Sequence, residues 1–182
     1  IAKNVSKYFF IIVIINKKPK ASKEDEEAFA ALMNKEIKIS VVTVCRNEKN
    51  TIEKSFLSIF NQSYSNYELI VIDGGSTDGT LDIINKYKDK ISYSVSEPDS
   101  GIYNAMNKGI EAASGDFIYF LNANDTLIDN FVFEKIAKCT QANPDARFIF
   151  GDIRLLKPNR EICADLDYKN QNTIFLFLKN NI

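Results

Sequence analysis

Four short apolar runs constrain this chain more than any other feature. They lie at residues 37–44, 67–73, 91–96 and 116–121, and each closes on polar residues before a stretch of helical periodicity begins. A strand that is apolar almost throughout is one buried on both faces. Strand and helix alternate four times, which predicts α/β architecture: a Rossmann-like, mostly parallel sheet flanked by helices. Such sheets bind ligands beyond the carboxyl ends of their strands.

The helical stretches have readable faces. Ile52, Phe56, Ile59 and Phe60 share one side of a helix framed by Asn50 and Glu53. Leu81, Ile84 and Tyr87 mark a second. Ile102, Ala105, Met106, Gly109, Ile110 and Ala113 repeat at helical spacing in a third, and residues 131–142 form a fourth with Asp129 or Asn130 as cap. Residues 147–151 read as a fifth strand, 153–156 and 161–164 as a hairpin, and 173–179 as a short helix.

Residues 1–36 read as an N-terminal appendage and 37–182 as the domain. The appendage holds the longest apolar run, residues 8–15, too short for a bilayer, which needs about 20 residues. Its β-branched content predicts a strand or a helix packed on a neighbour, with peripheral membrane contact as the other use. Ser22 and Asp25 have capping-box spacing, with Ala28, Ala31 and Leu32 on one side of the helix they open. The chain starts at Ile1, so the expectation is a fragment, truncated at the C-terminus as well.

Composition excludes several chemistries. There is no His in the 182 residues, which removes Ser-His-Asp and Cys-His catalysis and His metal sites from this chain. Cys45, Cys139 and Cys163 are odd in number and widely spaced, so neither a zinc site nor a disulfide framework is indicated. A reducing, cytoplasmic setting follows. A net charge of −1 argues against a nucleic-acid partner.

The polar residues concentrate at the strand ends. The first strand runs into Thr43, Cys45, Asn47 and Glu48, the second into Asp73, the third into Glu97 and Asp99, the fourth into Asn122, Asn124 and Asp125. Asp73, acceptor-only when ionised, suits a base or ribose, or else caps its own turn. Gly74, Gly75 and Gly79 permit close approach of a ligand, but no Gly-x-Gly-x-x-Gly or Walker loop is present. Asp125 is the best metal ligand, because Mg²⁺ or Mn²⁺ on a diphosphate needs few protein oxygens. Its alternative use is to cap the segment from Leu127. Lys108 is a candidate to neutralise phosphate or a solvated surface residue.

Five blocks in order resemble the family 2 glycosyltransferases with the A-type nucleotide-sugar fold: residues 40–48 (SVVTVCRNE), 58–64 (SIFNQSY), 68–80 (ELIVIDGGSTDGT), 96–109 (SEPDSGIYNAMNKG) and 115–125 (GDFIYFLNAND). The resemblance implies that Thr43 and Asp73 hold the base, with Cys45 and Asn47 lining that pocket, and Glu48 is a further nucleotide-sugar-binding candidate. It implies that Asp99, Gly101, Asn104 and Lys108 face the sugar and diphosphate beside Asn122 and Asn124, and that Asp125 binds Mn²⁺ or Mg²⁺. The implied reaction is inverting transfer from a nucleotide-diphospho-sugar, UDP-sugar expected, to a glycan or lipid-linked acceptor at the inner membrane face, in capsule, lipopolysaccharide or related polysaccharide synthesis.

Two departures stand out. Asn124 occupies a position that is often Asp in the family. The acceptor segment with the catalytic base is expected beyond Ile182, which leaves Asp152 as the acceptor-side candidate. A non-catalytic sugar-nucleotide-binding module is therefore the alternative reading. A nucleotidyltransferase is disfavoured, because residues 45–50 contain no Gly.

Overall fold

Seven consecutive buried residues, Ile39–Cys45, form the strand around which the sheet is built (β2). The structure, a computed structural model, describes residues 12–14, 36–143, 148–149, 153–157 and 160–164. In chain order the elements are β1 Ile12–Ile14, β2, α1 Ile52–Phe60, β3 Tyr67–Asp73, α2 Thr80–Lys86, β4 Tyr93–Ser96, α3 Ile102–Ala112, β5 Phe117–Phe120, α4 Val132–Ala142, β6 Phe148–Ile149, β7 Ile153–Lys157 and β8 Arg160–Ala164.

The sheet runs β4-β3-β2-β5-β1-β6. β2 pairs in parallel with β3 and β5, and β3 with β4, while β1 is antiparallel to both its neighbours. The chain moves outward from β2 to β4, then returns through α3 to add β5 on the other side of β2. The loops after β2 and β5 therefore part at the carboxyl edge, the switch point where open α/β sheets take ligands.

Period-two alternation divides the sheet side chains between two cores. Ile39, Val41, Leu69, Val71, Phe117 and Tyr119 pack against Ile52, Phe56 and Ile59 of α1, Ile84 of α2 and Phe133 and Ile136 of α4. Val42, Val44, Ile70, Ile72 and Ile118 face Ala105 of α3. Each wholly buried Phe or Ile contributes roughly 1.5–3 kcal/mol.

Several boundaries differ from expectation for local reasons. Thr51, not Asn50, precedes α1, and its hydroxyl reaches back 2.5 Å to Glu48. α4 starts one residue late, because Asp129 accepts the Phe131 N–H (2.8 Å) and the Asn130 carbonyl accepts the Ser63 N–H (2.7 Å). Within residues 1–36 the structure describes β1, which lies in the sheet, and Glu36. β7 and β8 form the expected hairpin, with Lys157 opposite Arg160, in a unit distinct from residues 10–150. The helices expected from Ser22 and over 173–179 lie outside the described residues. No helix among the described residues is long and apolar enough to cross a membrane.

Candidate functional site

The carboxyl ends of β2, β3 and β4 are in register at Cys45, Asp73 and Ser96. This register puts three polar side chains side by side around Asp73, which is only 1% exposed. Its Oδ2 accepts the N–H groups of Gly75 (3.2 Å) and Ser76 (2.9 Å) and the Ser96 hydroxyl (2.5 Å). Its Oδ1 accepts the Ser76 hydroxyl and the Cys45 thiol, the latter at 3.5 Å. Burial alone raises the pKa of this carboxyl. The hydrogen bonds, those of Ser76 and Ser96 foremost, overcome that and hold it below the usual range. Burial, and then the Asp73 charge, push the Cys45 thiol far above its ordinary value, so Cys45 stays neutral and donates. The turn-capping use of Asp73 is thus the one its hydrogen bonds display.

Asn47 and Glu48 tie the β2 loop to the β3 loop. Asn47, at φ 57°, donates its N–H to Ser76 Oγ (2.7 Å) and accepts the Thr77 N–H on Oδ1 (2.9 Å). The N–H of Glu48 donates to Thr80 Oγ1 (2.9 Å), and that of Lys49 to Asp78 (3.1 Å). Thr43 is wholly buried two residues inside β2, and its Oγ1 has no hydrogen-bond partner.

Asp99 accepts the Gly101 N–H at 2.8 Å on one oxygen, and its other oxygen lies over Gly74 beside Arg46. Gly101 and Asn104 lead into α3 from there, the Asn104 N–H donating to the Gly101 carbonyl (3.0 Å). Lys108 is paired with Glu97 at 2.6 Å, so its charge is already matched.

The tip after β5 continues along β2, with the N–H groups of Leu121 and Ala123 on the carbonyls of Val42 (3.0 Å) and Val44 (3.3 Å). That pairing turns Asn124 outward and Asp125 inward. Asp125 is 5% exposed, and burial pushes its pKa up to about 7; a backbone hydrogen bond at Asn122 opposes the rise, and the Glu48 charge adds to it. Asn122 Oδ1 is buried with no partner. Among the described residues no three His, Cys, Asp or Glu side chains gather as a metal site. The set present fits a hard divalent cation shared with a diphosphate: a carboxylate without counter-charge and an orphaned amide oxygen, both oxygen donors. Asp125 does not cap the segment from Leu127, whose N–H goes to Ser58 Oγ (3.1 Å). Asp152 lies outside the described residues.

The sequence reading missed Ser76, Ser96, Arg46 and the spacing at Gly74. Ser76 was open to it as a hydroxyl three residues after an Asp. Ser96 became a neighbour of Asp73 only through the β3–β4 register.

Residues 40–162 match the family model described as Glycosyl transferase family 2. The chain belongs to that family. A relative in Mycobacterium tuberculosis described as a PGL/p-HBAD biosynthesis glycosyltransferase is 32% identical over 105 residues, 56% of this chain and 41% of the relative. A Haemophilus influenzae glycosyltransferase, described as uncharacterized, is 38% identical over 95 residues, 50% of this chain and 38% of the relative. The chain thus spans less than half the length of these curated relatives. Among solved structures, Staphylococcus aureus TarS residues 1–349 in complex with UDP-GlcNAc superposes with a TM-score of 0.55 and 25% identity, over 59% of this chain and 32% of that one. The mannosyltransferase PcManGT of Pyrobaculum calidifontis shares the fold, with a TM-score of 0.52 and 22% identity, over 60% of this chain and 33% of that one.

Proposed function

We propose that this family 2 chain carries the donor side of an inverting glycosyltransferase. It would take a nucleotide-diphospho-sugar, UDP-sugar first, and pass the sugar to a hydroxyl of a glycan or lipid-linked acceptor in cell-surface polysaccharide synthesis. The carrying observation is the convergence of the β2, β3 and β5 ends at the switch point, with Asp73 locked in hydrogen bonds and Asp125 buried with no counter-charge among the described residues. The TarS complex with UDP-GlcNAc supports the donor class.

In this reading Thr43, Cys45 and Asn47 line the base side. Asp73 shapes that side through Ser76 and Ser96, since its oxygens are already taken. Asp99, with Gly101 and Asn104 behind it, faces the sugar. Asp125 and Asn122 Oδ1 would hold Mn²⁺ or Mg²⁺, Glu48 and Asn124 lying at the rim. The cation, when bound, spreads the charge of the leaving diphosphate. An acceptor-side carboxylate takes the proton of the attacking hydroxyl, and Asp152 is the residue of this chain kept for that side. In this reading the protein works in the cytoplasm, at the inner membrane face where lipid-linked acceptors lie. Residues 1–36 are an N-terminal appendage that lends β1 to the sheet of the domain formed by 37–182.

Calorimetric titration of UDP and UDP-sugars with and without Mn²⁺ tests this. UDP should bind, Mn²⁺ should strengthen binding, and Asp125→Ala should lose that gain while keeping metal-free affinity. Wild-type binding indifferent to Mn²⁺ would sink the metal assignment. The amides at Asn122 and Asn124 favour a second reading, a sugar-nucleotide-binding module. Donor binding without turnover on any glycan acceptor would select it.

A further inference from the structure

We infer that Gly74 is a positioning residue whose bare Cα sets the reach of Asp99, so that it governs recognition of the donor's sugar and not of its nucleotide. The inference rests on the proposed function, in which Asp99 faces the sugar.

Gly74 follows the last residue of β3 and is tied to the end of β2, its N–H donating to the Cys45 carbonyl at 2.9 Å. Unlike Gly75, Gly79 and Gly101, it does not have a positive φ, so its backbone is open to any residue. What a side chain would change there is the space left for Asp99. A Cβ would stand 2.5 Å from Asp99 Oδ2, 3.3 Å from Asp99 Cγ and 3.4 Å from Arg46 Cδ.

The Asp99 carboxylate is thus held from two sides. Oδ1 takes the Gly101 N–H at the start of α3, and Oδ2 rests on the Gly74 backbone. The aliphatic Cδ of Arg46 approaches the same spot from the β2 loop. The three heavy atoms nearest that spot are all side-chain atoms, of Asp99 and Arg46. An added methyl therefore moves side-chain ends and leaves the strand in place. Asp73, one residue earlier, keeps its bonds to Ser76 and Ser96, which preserves the base side.

The test uses the 182-residue chain and calorimetric titration with UDP, UDP-glucose, UDP-galactose and UDP-GlcNAc, taking the UDP-sugar that the wild type binds best. Gly74→Ala is expected to bind UDP within about twofold of wild type and the UDP-sugar about tenfold more weakly, the scale of one lost charged hydrogen bond. Asp99→Ala should do the same, and the double variant should lose nothing more, because Gly74 acts through Asp99. Equal losses for UDP and UDP-sugar, no loss for the sugar, or additive losses in the double variant overturn the inference. Should Gly74→Ala melt early, Asp99→Ala, which only removes atoms, carries the test: it must keep UDP and weaken the UDP-sugar, and any other pattern overturns the inference. Failure of the wild type to bind UDP overturns the proposed function, and the inference with it.

Discussion

Asp73 carries the densest chemistry of any single side chain in this site. Its two carboxylate oxygens receive five donors from two strand ends and one loop. Asp73→Asn puts an NH₂ group where donors already point, so the cost is both a lost acceptor and a donor facing donors. We expect a loss of roughly 2–4 kcal/mol, read as a lower urea midpoint at unchanged slope. The loop 74–79 should loosen with it, and UDP affinity should fall alongside. The sequence located Asp73, and Ser76 three residues on was legible as a turn partner. Ser96 was not, because its approach depends on which strand lies beside β3. Asn47 adds a role that the sequence does not disclose: its N–H and side-chain oxygen tie two loops.

Helix α3 is the element where packing tolerance is smallest. Among the described residues it alone contributes helical residues to the second core, and it buries two small residues, Ala105 and Gly109, against the sheet. A Cβ at Gly109 would overlap Cγ1 of Val42, a wholly buried side chain on the central strand. Gly109→Ala therefore sets two effects against each other. Helix propensity gains about 1 kcal/mol, while overpacking costs roughly 1–3 kcal/mol. Val42 is fixed by strands on both sides, so the second effect wins. A lower melting temperature, by about 2–6 °C in a chain of this size, is the expected reading. A rise would mean that α3 lifts off the sheet without penalty. The apolar repeat in the sequence located this helix well, because periodicity is a local signal. It did not reveal that Ile102 stays half exposed while Gly109 is buried. That outcome reflects how closely the helix lies on β2, which only the tertiary packing decides.

Taken whole, the molecule is tied at both edges of its sheet. At the edge away from the candidate site, Glu68 accepts Lys38 Nζ (2.7 Å), Ser40 Oγ (2.6 Å) and the Ser114 N–H (2.7 Å), joining β2, β3 and the turn before β5. Burial alone would raise the Glu68 pKa, but bonds from Lys38, Ser40 and Ser114 bring it down to about 2. A carboxyl that is more acidic in the folded chain than in the unfolded one stabilises the fold above its unfolded value. That contribution fades as pH falls from about 4.5 toward 2, and Asp73 acts with the same sign. Urea midpoints should therefore drop steeply across that window. Glu68→Gln should start lower at pH 7 and fall less on acidification, and equal slopes would contradict this. Strand and helix positions were legible in the sequence, whereas the sheet order β4-β3-β2-β5-β1-β6 was not, since it is fixed by pairings between residues far apart in the chain. The opposite edge has a consequence for hydrogen exchange. Asn47, Lys49 and Thr77 are exposed residues, yet each amide proton is held by a side-chain oxygen of the other loop. Their exchange with solvent requires the two loops to separate, so these surface amides share the slow clock of the strands beneath them, and the rim of the site is as durable as its floor.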